Sequence, residues 1–402
     1  MFYLLILLTF VAIATANDRI VMTMGPLRQS LIAKIEALPE VEGSVIYSEV
    51  AALIRIEGSE YPVTDLLDAA GVMYEVEIEK SYSFDVEENL DRIDQRNFPL
   101  DGGPFNPVSG GNGLGDGVLI YIVDSGIRVS HEEFEWPDDP SINRAANAYT
   151  VSGSPSDEPC SYHGTAVASV AAGKTLGAAQ KASVHSVKVA LASGANKSPQ
   201  DCPITLASLL EGLLWIIANG TSPAIINLSL AGGRSVCVDL LVKAIREQGN
   251  MVVDAAGNNN MPDGACDLSP ARSVYSTTVA ATFIDGNNDK RSSFSNYGDC
   301  VDYFAPGEMI TMAGATGNTV TRVGSGTSFS APLVAGGLAI EQSHRALLGL
   351  SVTADDVEAA LRARAVTNNV DGSGSTDYYF LHVGADAGHL VPSLAVLMFI
   401  NA

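Results

Sequence analysis

Seven residues late in the chain, Gly326-Thr327-Ser328-Phe329-Ser330-Ala331-Pro332, constrain its fold more than any other stretch. They open an apolar run from Leu333 to Ile340 that reads as a buried helix. Glycine lets the backbone turn sharply into that helix, and a proline in its first turn can do without an N–H. Ser328 then sits over the positive end of the helix dipole, where developing negative charge is favoured. A serine so placed is presented for attack. The alternative is a core helix whose serine and threonine are ordinary caps.

Two further motifs favour the reactive serine. Val118-Leu119-Ile120-Tyr121-Ile122-Val123 is apolar and β-branched, reads as a buried strand, and ends in Asp124-Ser125-Gly126. A carboxylate there lies at the carboxyl end of a strand, where open α/β sheets gather their chemistry. Cys160-Ser161-Tyr162-His163-Gly164-Thr165 leads into the small apolar stretch Ala166 to Ala172 and puts an imidazole at a helix start. The other five histidines, at 131, 185, 344, 382 and 389, read as ordinary core or surface residues. Asp124, His163 and Ser328 follow one another in one of the three known chain orders of a catalytic triad. Met251-Val252-Val253 leads into Ala255-Ala256-Gly257-Asn258-Asn259-Asn260, a strand that breaks at glycine and offers an amide. One such donor aimed at an oxyanion contributes about 3–4 kcal/mol.

With these residues the chain resembles the subtilisin-like serine peptidases, and within them the proteinase K-like branch. The resemblance covers roughly Asn89 to Gly349. Its most specific stretches are Leu90 to Arg96 with Pro99-Leu100-Asp101-Gly102, then Asn227 to Leu230, then Arg291 to Gly298. It implies a doubly wound, mostly parallel α/β sheet flanked by helices. It also implies Asp124 orienting the base, His163 as general base and then acid, Ser328 as nucleophile, and Asn258 with the Ser328 N–H as oxyanion hole. Ser229-Leu230-Ala231 would be the extended segment that pairs with substrate. Peptide and protein substrates follow, with broad specificity, an apolar or aromatic P1 residue and no catalytic cofactor.

The bulk composition agrees with an exported protein. Residues 1–16 are apolar and close on Ala14-Thr15-Ala16, an A-x-A cleavage pattern, although no Lys or Arg precedes the run. The run is shorter than the roughly 20 apolar residues a membrane span needs, so secretion is expected. A formal net charge of −23 argues against nucleic acid. Five cysteines in such a chain suggest disulfides with one left over, and spacing alone allows 15 ways of choosing two bridges. The resemblance implies Cys160–Cys202 and Cys266–Cys300, with Cys237 free. It also implies a monomer.

Residues 17–88 read as a separate small α+β unit. Strands are expected at Arg19–Thr23, Val45–Tyr47, Ala52–Ile56 and Met73–Ile78, and helices at Leu27–Leu38 and Val63–Ala70. Lying between a leader and a catalytic unit, it resembles the family's inhibitory prosegment; an independent binding domain is the alternative. Ser81 to Glu88 lacks periodicity and reads as the cleavage region. From 89 to 385 strands and helices alternate, with Leu206–Asn219 and Val238–Gln248 stopped by Gly220 and Gly249. Residues 386–402 are an apolar tail, read either as a lipid-anchor signal or as a packed or disordered end.

Departures from the family pattern mark what is specific to this chain. Ala231 stands where the family usually has glycine, which narrows a pocket by one methyl group. Phe329 and Ser330 replace a usual Met-Ala, and are expected to sit on the helix without touching the triad. Asp254 places a carboxylate in a buried strand beside the oxyanion turn, costly unless hydrogen-bonded or protonated. The segment from Ala190 to Asp201 is rearranged, so the other edge of a substrate cleft is not located. Val274 and Ser276, through their carbonyls, and Asp302 match the family's calcium site, and oxygen ligands suit that ion. Asn196, Asn219 and Asn227 begin glycosylation sequons, the last inside the substrate segment. Two rival readings are a pseudoprotease that keeps its prosegment docked and a dibasic-specific processing protease.

Overall fold

The structure is a computed structural model. It describes residues 18–24, 27–39, 46–47, 51–57, 61–70, 72, 74–78, 88–108, 113–152, 154, 160, 162–191, 202–367, 370–374 and 378–384. The expected leader 1–16, cleavage segment 81–87, Asn196 sequon and tail 386–402 lie outside these residues. The chain divides into two compact units, Met1–Phe84 and Asp85–Ala402.

In the first unit a four-stranded antiparallel sheet runs in the order Ile46–Tyr47, Ala51–Glu57, Asp18–Met24, Tyr74–Ile78. Two helices, Gln29–Ile35 and Tyr61–Ala69, pack together through Ile32, Ile35, Val63 and Leu67. The i, i+3 and i, i+4 spacings of those apolar residues give each helix one buried stripe.

The second unit is built on a parallel sheet. Its strands run in the order Tyr379–Phe380, Tyr303–Pro306, Thr277–Asp285, Met251–Ala255, Ile225–Leu228, Leu119–Asp124, Ser183–Lys188, Ala145–Thr150. The central strands Leu119–Asp124, Ile225–Leu228 and Met251–Ala255 read as nearly continuous apolar runs because helices cover both faces. Ile120 and Ile122 point into one core with the helices His163–Ala172 and Thr327–Leu347. Their neighbours Tyr121 and Val123 point into the other, against Leu206–Asn219 and Val236–Glu247. The chain winds from the Leu119–Asp124 strand towards one edge, then returns to Ile225–Leu228 and winds towards the other. The reversal leaves a crevice at the carboxyl ends of those two strands, the usual ligand position in an open α/β sheet.

Helix boundaries follow local chemistry. Thr205 caps Leu206–Asn219 in a reciprocal capping box with Ser208. Thr353 caps Ala354–Arg364 through the Asp356 N–H. Two disulfides tie the unit, Cys160–Cys202 and Cys266–Cys300, with Cα–Cα distances of 6.1 and 5.3 Å. Cys237 is a free, exposed thiol.

Candidate active site

Asp124 ends its strand almost wholly buried and is joined to the next turn by the Ser125 N–H at 2.6 Å. His163 begins a helix whose next nine residues are all buried, so the helix is anchored by packing along its whole length. Its Nδ1–H donates to the Asp124 carboxylate, at 2.8 Å from Oδ2 and 3.0 Å from Oδ1. The close approach depends on Gly164. A Cβ there would lie 2.5 Å from the Gly126 carbonyl, and the Gly164 N–H donates to Ser125 Oγ at 3.0 Å. The Asp-Ser-Gly turn and the His-Gly pair are thus two halves of one joint.

Burial disfavours a charged His163, but the Asp124 charge and hydrogen bond together outweigh it. The imidazole is held above its usual value, with Arg322 pulling weakly the other way. The Phe329 ring lies beside it, centroids 5.8 Å apart. This corrects the expectation that Phe329 stays clear of the triad: as the residue after Ser328 it faces the imidazole across the helix mouth.

Ser328 is the second residue of its helix, after Gly326 at the N-cap. Its Oγ donates to the Ser229 carbonyl at 3.1 Å, while Ser229 Oγ donates to the Ser328 carbonyl at 2.8 Å. Asn227 Nδ2 in turn donates to Ser229 Oγ, and the Asn227 side chain, 0% exposed, removes that sequon from solvent. Ser328 and Ser229 are therefore locked to each other.

Asn258 shows how an amide is aimed. Its Oδ1 accepts from the Thr327 N–H at 2.9 Å and lies 3.0 Å from Thr327 Oγ1. With the oxygen held on that side, the Nδ2 donor faces the space in front of Gly326 and the Ser328 N–H. A Cβ on Gly326 would be 3.6 Å from Asn258 Nδ2 and 3.8 Å from the Ser328 nitrogen, so both donors border one small volume. Thr327, which the sequence offers only as part of the Gly-Thr-Ser run, is the residue that orients Asn258. Its position between glycine and serine was the available signal.

Leu230 and Ala231 line a cavity of about 480 Å³ with Ile204, Thr205, Leu206, Leu209 and Val238. Ile204 and Leu206, which follow the rearranged segment, share this cavity with Leu230 and Ala231. Asp254 is completely buried. Its Oδ1 lies 3.0 Å from Thr278 Oγ1, whose closer partner is the Ala271 carbonyl at 2.7 Å. That hydroxyl has one hydrogen, so the contact with Asp254 calls for a proton on the acid. Desolvation raises its pKa to about 8, with Ser276 and Thr278 offsetting only part of the effect. Asp254 Oδ2 has no well-formed partner among the described residues.

Of the residues matched to calcium, Asp302 accepts the Thr278 N–H through Oδ2 at 2.8 Å, and Val274 is 89% exposed. The donors are all oxygen, which suits calcium, but with one carboxylate the set carries little charge. Among the described residues no group of three or more His, Cys, Asp or Glu side chains is arranged to hold a metal. No described helix is long and apolar enough to cross a membrane.

Comparison with known proteins bears on the family and the fold. Residues 115–379 match the model of the Subtilase family, Peptidase_S8. The chain is 40% identical over 285 residues to an extracellular serine proteinase of Thermus sp. (strain Rt41A), covering 71% of this chain and 63% of that protein. It is 37% identical over 290 residues to alkaline serine exoprotease A of Vibrio alginolyticus, covering 72% of this chain and 48% of that one. The chain thus spans about half to two thirds of the length of these relatives. A crystal structure of a cold adapted subtilisin-like serine proteinase aligns with a TM-score of 0.62 and 34% identity, over 74% of this chain and 98% of that one.

Proposed function

Because this chain belongs to the subtilase family, we propose that it is a secreted serine endopeptidase, made as a zymogen, that hydrolyses peptide bonds through an acyl-enzyme. The observation that carries the reading is the Asp124–His163 pair, 2.8 Å apart, set beside a serine at a helix N-terminus with an oriented amide next to it.

The chemistry follows from those residues. Ser328 exchanges its bond to the Ser229 carbonyl for one to His163 Nε2, a bond that in such sites often forms only once substrate is present. As Oγ attacks the scissile carbonyl, its proton passes to His163, and the buried Asp124 stabilises the imidazolium. Negative charge on the carbonyl oxygen is met by Asn258 Nδ2 and the Ser328 N–H. His163 then protonates the leaving amine, and water repeats the sequence in reverse on the acyl-enzyme. No step requires a cofactor.

Substrate backbone lies along Ser229-Leu230-Ala231. The cavity they share with Ile204, Leu206 and Leu209 supports broad specificity for apolar side chains. Residues 17–88 act as an intramolecular inhibitory prosegment and 89–385 as a monomeric catalytic domain. The Thermus relative named an extracellular serine proteinase supports export. Val274, Ser276 and Asp302 would hold a structural calcium ion, remote from the chemistry. The test is an alkyl fluorophosphonate probe on the processed protein. Stoichiometric labelling of Ser328, lost in His163→Ala, is expected; an unlabelled, folded wild type leaves the docked pseudoprotease as the better reading.

A further inference from the structure

The wall of the site beside His163 carries a cation that the proposed chemistry does not use. Arg322 lies on the strand Thr321–Gly324 that feeds into the Ser328 helix. Its guanidinium stacks on the Tyr162 ring, with Cζ 3.2 Å from the ring centroid. Tyr162 is the residue before His163, their rings 6.4 Å apart, and the Arg322 charge is felt at the imidazole. The side chain is half-buried, and its Nε is shielded from solvent without a hydrogen-bond partner. Arg92, Arg234, Arg246, Arg272 and Arg364 each pair with a carboxylate. Arg322 has no such pair among the described residues, in a chain with 46 acidic residues against 23 basic ones. Acids are plentiful, so a guanidinium left unpaired beside the reacting groups is open to an anion from outside.

We propose that Arg322, held flat against Tyr162, forms a subsite next to His163 for a carboxylate carried by the substrate close to the scissile bond. The carboxylate comes either from an Asp or Glu side chain or from the peptide's own C-terminus. A planar guanidinium matches a carboxylate with two parallel N–H donors. Stacking fixes its plane beforehand, so less rotamer freedom is lost on binding. The subsite rests on the reading of Ser328 and His163 as nucleophile and base.

The test uses the processed enzyme and fluorogenic peptides with one defined scissile bond. In one set, Glu replaces Gln at each of the three positions on either side, with the C-terminus amidated. In a second set neutral peptides end one, two or three residues beyond the bond, as free acid or as amide. At one position the carboxylate form should be preferred about three- to tenfold in kcat/KM, mainly through KM, and the preference should shrink as salt rises. The set in which it occurs identifies the source of the carboxylate. Arg322→Gln should bring that ratio to about one, and Arg322→Glu should transfer the preference to a Lys peptide. Cleavage of neutral peptides with no carboxylate preference, or a preference that survives Arg322→Gln, overturns the subsite alone. Proportional loss of activity on every peptide in Arg322→Gln also overturns it, since Arg322 would then only support His163. If the wild type cleaves no peptide at all, the protease reading falls and the subsite with it.

Discussion

The half-buried His163 and the fully buried Asp254 each have their charge set by what lies beside them, with opposite outcomes. Asp124 holds the imidazole above its usual value, so the acid limb of kcat/KM should lie above pH 6.5, the ordinary histidine value. Asp124→Asn removes that charge. The limb should move to lower pH while kcat falls by about 10⁴, read from pH–rate profiles of a folded variant. Asp254 has a carboxyl raised to about 8, far above its unfolded value of 3.8. Between those two values the unfolded chain releases a proton that the folded chain keeps, so stability drops as pH rises through that window and levels off above it. Each pH unit there costs up to about 1.4 kcal/mol. Asp254→Asn should therefore gain melting temperature over wild type steadily from pH 5 to 8, with kcat largely retained. A constant difference across that range would mean the acid is already ionised, and a thousandfold fall in kcat would make it a functional acid.

At the scale of elements, the proposed catalytic geometry rests on a contact between two helices. The helix that begins with His163 and the helix that carries Ser328 touch where Gly336 passes the Ala171 carbonyl. A Cβ on Gly336 would lie 2.7 Å from that oxygen and 2.8 Å from the Ala178 methyl. Neither atom is the end of a flexible side chain, so Gly336→Ala must push the helices apart. Overpacking of this kind costs about 1–3 kcal/mol. We expect a lower melting temperature and, in the protein that remains folded, a larger fall in kcat than Gly349→Ala produces. Gly349 lies beyond the helix end with no atom within 4 Å of its added Cβ, though its positive φ gives that control a strain cost of its own. Equal effects on kcat would argue that the helix separation is not what sets the Asp-His-Ser geometry. Strong elements were readable in advance: Leu206–Asn219 has the bounds expected from its apolar pattern and the Gly220 stop. Ala145–Thr150 was not, because Ala-Ala-Asn-Ala-Tyr-Thr has neither an apolar run nor clean alternation, and lies at the edge of the sheet.

For the whole molecule the decisive event is the proposed processing between Lys80 and Asn89, which would be the enzyme's own first turnover and would need its nucleophile and oxyanion donors. Expressed away from other proteases, Ser328→Ala should accumulate as the precursor beginning near Asn17, while the wild type runs about 70 residues shorter, a length set by the expected 17–88 segment. Asn258→Ala should process slowly, since one lost donor costs about 10²–10³ in rate. Maturation of Ser328→Ala at the wild-type rate would assign the cut to another protease. Calcium, if held at Asp302, should raise the melting temperature over a chelator-treated sample by stabilising only the folded chain, and Asp302→Asn should abolish the difference.

The sequence by itself determined the kind of fold and marked the residues proposed to carry the chemistry. Glycine turns, strand-end polar residues and apolar helices are local signals, written in consecutive positions at Asp124, His163, Asn258 and Ser328. What the tertiary structure decided is everything that depends on residues distant in the chain. Thr327 orients Asn258 across 69 positions, Ser229 receives the Ser328 hydroxyl across 99, and Thr278 meets Asp254 across 24. Phe329 and Arg322 acquire their places beside His163 only when the two helices meet. Hydrogen-bond direction, desolvation and close packing are properties of neighbours in space. They come into being when the strands line up and bring those neighbours together.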